Sequence, residues 1–336
     1  MGRLNKYMKD REFMHKLYLG IEIGGTKNQI ALGNARGDIL HAVTEKVNLR
    51  DGAAGTLAWI KRIIPEMIAK GQELGGVVAG IGVGFGGILE SATGKILLSV
   101  QVAGWQNFML KDWFTSNFGL PALIINDTVT GGYAEYVSGS GKGSQQFFYT
   151  NIGSGIGGVF ILNGKIYDGL GYGAAYFGHT YLPDWSCAAP GMPRKVEDLC
   201  SGWAIEKRLR TAGYVPTDSL LLQFAGHHPD IFTCAILGQC AEKGDRFALA
   251  EIDRIARSFG IGLANVLSLV SPDCISIGGG VGKMGEILLG PVRKYTEEYS
   301  FISSKGRYRI VGSTFADAAV PVGSILLAAK QPLKSK

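Results

Sequence analysis

The sequence predicts an α/β protein of two lobes, and three observations carry that reading. A strand, a glycine elbow and a return strand occur twice, about 130 residues apart, as an internal duplication requires. Short apolar runs bounded by turn residues alternate with longer stretches of helical periodicity. The 336 residues suggest roughly two domains of ordinary size, so each repeat is expected to head its own lobe, with a cleft between the lobes.

Taken in order, Leu17 to Ile23 reads as a strand, Gly24-Gly25 as the elbow and Asn28 to Leu32 as the return strand. Gly33 to Gly37 turns the chain again, and Ile39 to Val43 completes a three-stranded meander. From Thr56 to Ala69, Leu57, Ile60, Ile63, Ile64, Met67 and Ile68 recur at helical spacing, with a kink expected at Pro65. Val77 to Val83 is a buried strand running into Gly84-Phe85-Gly86-Gly87. Phe108 to Phe118 is a helix closed by Gly119, and Leu123 to Asn126 is the next strand.

The second half opens in the same way. Phe147 to Ile152 is a strand, Gly153-Ser154-Gly155 the elbow and Gly157 to Leu162 the return. Asn163-Gly164 is a two-residue hairpin signal leading into Lys165-Ile166-Tyr167. Helices are predicted over Trp203 to Ala212, Phe232 to Lys243, Phe247 to Val270, Met284 to Tyr295 and Val320 to Ala329. Strands are predicted over Cys274 to Ile277 and Arg309 to Val311.

Composition narrows the function classes. Hydrophobic residues at 46% and charged residues at 18% are globular values, so a disordered tether is excluded. The net charge of +6 is spread along the chain, and no basic run carries the aromatics of a nucleic-acid module. No apolar stretch is long enough to span a bilayer. Five cysteines at irregular spacing form no disulfide framework, which suits a reduced cytoplasmic setting. The expectation is a soluble protein with no nucleic-acid and no membrane partner.

Chemistry concentrates in the glycine clusters and one strand end. Glycines between two strands let backbone N–H groups point into the turn, where they can hold phosphate oxygens. Gly24, Gly25, Thr26 and Lys27 make one such candidate, and Gly153, Ser154, Gly155, Gly157 and Gly158 the other. A plain glycine hairpin explains either alone. The second contains a Gly-x-Gly-x-x-Gly string, but strand and turn follow it where a dinucleotide fold needs a helix. Gly278-Gly279-Gly280 joins a strand to a helix; close approach of a nucleobase and ribose explains it, and so does tight packing. Asn126-Asp127 ends an apolar strand just before a helix. Its carboxylate can take a proton from an attacking hydroxyl or can cap that helix.

Gly20-Ile21-Glu22-Ile23-Gly24-Gly25-Thr26-Lys27, Ile125-Asn126-Asp127, Gly153 to Gly158, Gly178-His179, Glu197 with Ser201-Gly202, and Ile277 to Gly280 together resemble the ROK family. That family comprises bacterial sugar kinases, repressors and uncharacterised reading frames of the actin-like ATPase superfamily. The resemblance spans about Leu17 to Ala329. It implies two ribonuclease-H-like lobes, one over 17–127 plus 318–332 and the other over 128–317. It also implies a homodimer that binds a sugar and ATP with Mg2+. The implied reaction is ATP-dependent phosphorylation of a hexose or N-acetylhexosamine hydroxyl. Asp127 would be the general base. Asn126, His179, Glu197, Tyr176 and Gly86 would contact the sugar, the two elbows the phosphates, and Gly278 to Gly280 the adenosine. Fructose- or allose-type substrates and a non-catalytic sugar sensor are the alternatives. Only sixteen residues precede Leu17, fewer than the helix-turn-helix of a repressor needs.

Three departures from the family pattern matter. Tyr176 stands where kinases of the family carry a Glu, and a phenol cannot accept two hydroxyls as a carboxylate does. Ala188, Pro190 and Lys195 stand at the three cysteine positions of the structural zinc site. With Cys187 and Cys200 at the wrong spacing, no zinc is expected; packing through Trp185 and the Pro190–Pro193 region is expected to hold that loop. Val129 replaces a common Asn, and Glu22 replaces an Asp.

Overall fold

The computed structural model describes residues 15–184, 191–224, 228 and 231–331. Trp185, Cys187, Ala188 and Pro190 lie outside the described residues. The chain divides into two compact units. The first holds the chain up to Ala134, Asp168–Gly173 and the chain from Ala318; the second holds Glu135–Tyr167 and Ala174–Asp317.

The first unit is built on β1 (His15–Ile23), β2 (Lys27–Asn34), β3 (Ile39–Lys46), α1 (Gly52–Glu73) and β4 (Gly76–Phe85). A small antiparallel sheet follows, β5 (Ile88–Glu90), β6 (Lys95–Leu98) and β7 (Phe108–Met109), then α2 (Leu110–Phe118), β8 (Ala122–Asn126) and the start of α3 (Asp127–Ser138). The main sheet has the order β3-β2-β1-β4-β8. Its first three strands form the expected meander, and β1, β4 and β8 run parallel. Parallel strands need crossovers, which α1 and α2 supply.

Buried Trp59, Ile60, Ile63, Ile64 and Met67 place one face of α1 in this core. The helix runs without a break through Pro65, the position at which a kink is expected. Pro65 and Lys61, whose carbonyl loses its partner, both lie on the exposed side, where water can replace the missing bond. The small sheet went unforeseen, and Phe108, expected in a helix, is strand. Ile96 pairs with Phe108 and Lys95 with Met109, so cross-strand pairing overrides a local pattern that suited either state.

The second unit contains the rest of α3, β9 (Gln146–Ile152), β10 (Ile156–Leu162), β11 (Lys165–Ile166), β12 (Tyr181–Asp184) and β13 (Met192–Lys195). Next come α4 (Val196–Cys200), α5 (Gly202–Leu209), α6 (Leu220–Phe224), α7 (Cys234–Glu242) and α8 (Arg246–Val270). It ends with β14 (Cys274–Gly278), α9 (Gly279–Gly282), α10 (Glu286–Tyr299) and β15 (Arg309–Gly312). Its sheet order, β11-β10-β9-β14-β15, repeats that of the first unit strand for strand, including the antiparallel meander and two parallel pairs. The duplication read from the two elbows is therefore one of topology.

The first unit is closed by α11 (Ala319–Lys330), which lies against β1 and β4. A Cβ on Gly20 would sit 2.2 Å from Pro321 O, and one on Gly82 would sit 2.0 Å from Ser324 O. Two strands thus accept a helix backbone where any side chain would hold it off. Part of the glycine surplus serves this approach. The boundary expected at 127/128 falls where α3 begins, whereas the division by contacts falls at 134/135, inside that helix. The first eight residues of α3 belong with the first unit because Thr130 packs backbone-to-backbone against Gly323.

Candidate active site

In the first unit, β8 delivers Asn126 and Asp127 to the sheet end from which α3 starts. Asn126 Oδ1 accepts from Thr128 N at 3.0 Å and Val129 N at 3.3 Å, while its Nδ2 donates to Gly87 O at 3.2 Å. The amide is the helix cap. Asp127 Oδ1 shares the Thr128 N–H at 2.7 Å. Its Oδ2 faces Gly86, where an added Cβ would lie 3.2 Å away. Burial pushes the Asp127 carboxyl up to about 6, with the Thr128 N–H and hydroxyl pulling the other way. A carboxylate with that value is mostly ionised near neutrality yet basic enough to take a proton.

Phe85, buried at the end of β4, holds the next turn in place. Trp105 packs edge-on against it at 5.1 Å and against Phe108 at 5.5 Å. Gly86 N donates to Ile23 O at 2.9 Å, which ties this turn to the first elbow. The elbow is a tight hairpin: Gly24 N donates to Lys27 O at 3.2 Å. Lys27, expected to offer its charge to phosphate, lies 3.1 Å from Glu22 Oε2 in an ion pair. Gln101, missed in the sequence, lies on the elbow; a Cβ on Gly25 would be 2.0 Å from its Oε1. It arrives on the loop after β6, and the Thr93-Gly94 turn before β6 was the available signal.

In the second unit, Tyr176, His179 and Glu197 come together. Phe177 is buried between Phe148 and Phe259, so the 3-10 turn Phe177–His179 turns its neighbours outward. The Tyr176 and His179 rings lie edge to face at 6.3 Å. His179 Nε2 is 3.4 Å from Glu197 Oε1. On α4, Val196 and Cys200 are buried, which leaves Glu197 on the other side of the turn. Lys195 Nζ stands 3.8 Å from Glu197 Oε1, so an ammonium occupies one of the positions given to zinc cysteines. Cys200 Sγ donates to Ile255 O at 3.5 Å, and burial pushes its thiol up to about 12. A thiol so protonated is a poor zinc ligand. Among the described residues, no group of three His, Cys, Asp or Glu could hold a metal ion.

The second elbow differs from the first in being open. Gly153 N donates to Gly155 O at 2.9 Å, and Asn151 Oδ1 accepts from Gly157 N at 2.9 Å. A Cβ on Gly153 would meet nothing nearer than 3.7 Å, and one on Gly155 nothing nearer than Glu197 Oε2 at 3.5 Å. Ser154 is exposed at the tip. Gly158 and Gly278 are packing positions: added methyls would strike Ala175 O at 2.6 Å and the Tyr149 hydroxyl at 2.3 Å. Gly279, at φ +84°, brings its Cα against Ile152 at the base of the elbow, and beyond Gly280 there is open space within 4 Å. The open elbow and the exposed Gly280 therefore adjoin.

The sequence profile of the ROK family matches residues 18–331. The glucokinase of Halalkalibacterium halodurans is 29% identical over 323 residues, covering 94% of this chain and 95% of its own. A crystal structure of a ROK family glucokinase from Streptomyces griseus, in complex with glucose and AMPPNP, matches with a TM-score of 0.81. It is 26% identical and covers 94% of this chain and 100% of that one. The xylose repressor of Caldicellulosiruptor bescii is 25% identical, covering 92% of this chain and 77% of its own. No described helix is long and apolar enough to cross a membrane.

Proposed function

This chain belongs to the ROK family, and from that premise we propose that it is a sugar kinase moving the γ-phosphoryl group of ATP to a hydroxyl of a hexose or N-acetylhexosamine. The observation that carries the reading is the division of labour at Asn126-Asp127. Asn126 satisfies the helix N-terminus, and Asp127 keeps Oδ2 directed at Gly86 with a carboxyl raised to about 6.

On this reading the sugar hydroxyl donates to Asp127 Oδ2, which takes its proton as the oxygen attacks phosphorus. Asn126, Gly86, His179, Glu197 and Tyr176 bind the remaining hydroxyls. Gly153, Ser154 and Gly155 hold the phosphates. Mg2+ accompanying the nucleotide would supply charge neutralisation on the donor. Most of the rate in such a transfer comes from position and electrostatics, which rigid turns on two sheets provide. The same reading makes the protein a cytoplasmic homodimer without zinc.

The test is ATP consumption by the purified protein against glucose, mannose, fructose, N-acetylglucosamine, N-acetylmannosamine and allose. Sugar-dependent ADP release supports the kinase and names the substrate. Sugar binding without turnover over the whole panel would replace it with a sensor, the reading that Tyr176 favours by supplying a phenol where a carboxylate could bind two hydroxyls.

A further inference from the structure

The second unit holds a cavity that the kinase reading does not use. It has a volume of 570 Å³ and lies along α5 and α8, with β12, β13 and α4 at one end. The space exists because Ala204, Ala250 and Ser258 are small where the two helices face it. Five cations line it: Arg194, Lys207, Arg208, Arg254 and Arg257. The exposed indole of Trp203 forms an apolar wall, with Lys207 Nζ 4.9 Å from its centroid.

The cations are built in. Arg208 donates to Glu251 Oε1 at 2.7 and 2.9 Å and to Leu199 O at 2.9 Å. Arg254 Nη1 lies 3.2 Å from Glu251 Oε2. One fully buried carboxylate thus serves two guanidinium groups. Asp253, also on the lining, accepts from the Tyr295 hydroxyl at 2.8 Å, and Asp184 lies 3.7 Å from Arg194. Asp198 is the third lining carboxylate. On the lining itself five cations stand against three carboxylates, with Glu251 beneath Arg208 and Arg254 and Glu298 near Arg257 balancing the rest. Forked guanidinium donors suit tetrahedral oxyanions, and an exposed indole suits the flat side of a ring.

We propose that this cavity is a binding site for a small phosphate ester, its phosphate held by Lys207, Arg254 and Arg257 and its ring packed on Trp203. The site stands back to back with the sugar-side residues. Along β13 and α4, Arg194 and Asp198 line the cavity while Lys195 and Glu197 lie together beside His179.

The experiment is a titration of the full chain with glucose 6-phosphate, inorganic phosphate and glucose, followed by tryptophan fluorescence and by calorimetry. Glucose 6-phosphate is expected to change the fluorescence, and Trp203→Phe to abolish that signal. Lys207→Met with Arg257→Gln should weaken its binding at least ten-fold, with the far-ultraviolet circular dichroism unchanged; Lys207→Met alone, at an exposed position, serves if the pair does not fold. Binding unaffected by these substitutions would overturn the proposal. So would inorganic phosphate or glucose producing the same Trp203-dependent fluorescence change at the same concentration as the ester, or variants that shift only the oligomeric state.

Discussion

The two glycine elbows head sheets of identical strand order, yet they have been put to different uses. Both spend their first glycine N–H on the hairpin, but the first is filled: Gln101 lies on Gly25, and Glu22 takes Lys27. The second is open, with space above Gly153, Gly155 and Gly280. A repeated backbone motif therefore specifies a turn, and the side chains delivered by neighbouring loops decide whether the turn is a support or a cradle. On the proposed reading the first unit's chemistry lies at the adjacent strand end, where Asp127 stands, and the second unit's at the elbow.

The sharpest test of that contrast is Asp127→Asn. Loss of the base is expected to lower kcat by about 10³-fold while sugar affinity measured by calorimetry changes little; near-normal turnover would remove Asp127 from its role and with it the contrast. Next in size is Gly82→Ala, whose methyl would meet the Ser324 carbonyl at 2.0 Å. Unfolding by urea should show a loss of about 3 kcal/mol, since the obstacle is backbone and cannot swing aside.

Acidity gives a third handle. As a base, Asp127 must be ionised, so kcat/KM should fall about ten-fold per pH unit below about 6. Stability runs the other way. A raised carboxyl value favours the native state while the group is protonated. That contribution, about 3 kcal/mol, is complete below the ordinary carboxylate range and is lost as pH rises through about 6. Asp127→Asn should therefore raise the Tm at pH 8 and leave it nearly unchanged at pH 4; equal shifts at both would break the assignment. The smallest effects compare the elbows directly. Gly25→Ala must displace the flexible Gln101 and should cost about 1 kcal/mol of stability. Gly153→Ala should leave stability within about 0.5 kcal/mol and raise the KM for ATP, because its methyl enters only open space.

Much of the fold was legible because its signals are local. Ile60, Ile63, Ile64 and Met67 mark one face of a helix, and the elbows with their flanking strands mark a duplication that the matching sheet orders repeat. The small sheet of β5, β6 and β7 was not legible, since Phe108 and Met109 become strand only by pairing with Lys95 and Ile96. The site shows the same split. Asn126-Asp127 and the glycine clusters announce themselves as short motifs. Gln101 and Lys195 have no motif and acquire a place only through the loop after β6 and the strand β13.

By itself, then, the sequence determined the family, the duplicated α/β plan and the residue types able to bind phosphate or move a proton, because spacing and side-chain chemistry are properties of the chain. The tertiary structure alone decided which of two equally good polar groups caps α3. Val129 directs its N–H to Asn126 and Thr128 shares its own between Asn126 and Asp127 Oδ1, while Gly86 leaves room beside Asp127 Oδ2. A hydrogen bond and a clearance of a few ångströms depend on where distant segments arrive. That is how the carboxylate came to face outward from the helix start while the amide beside it holds the turn.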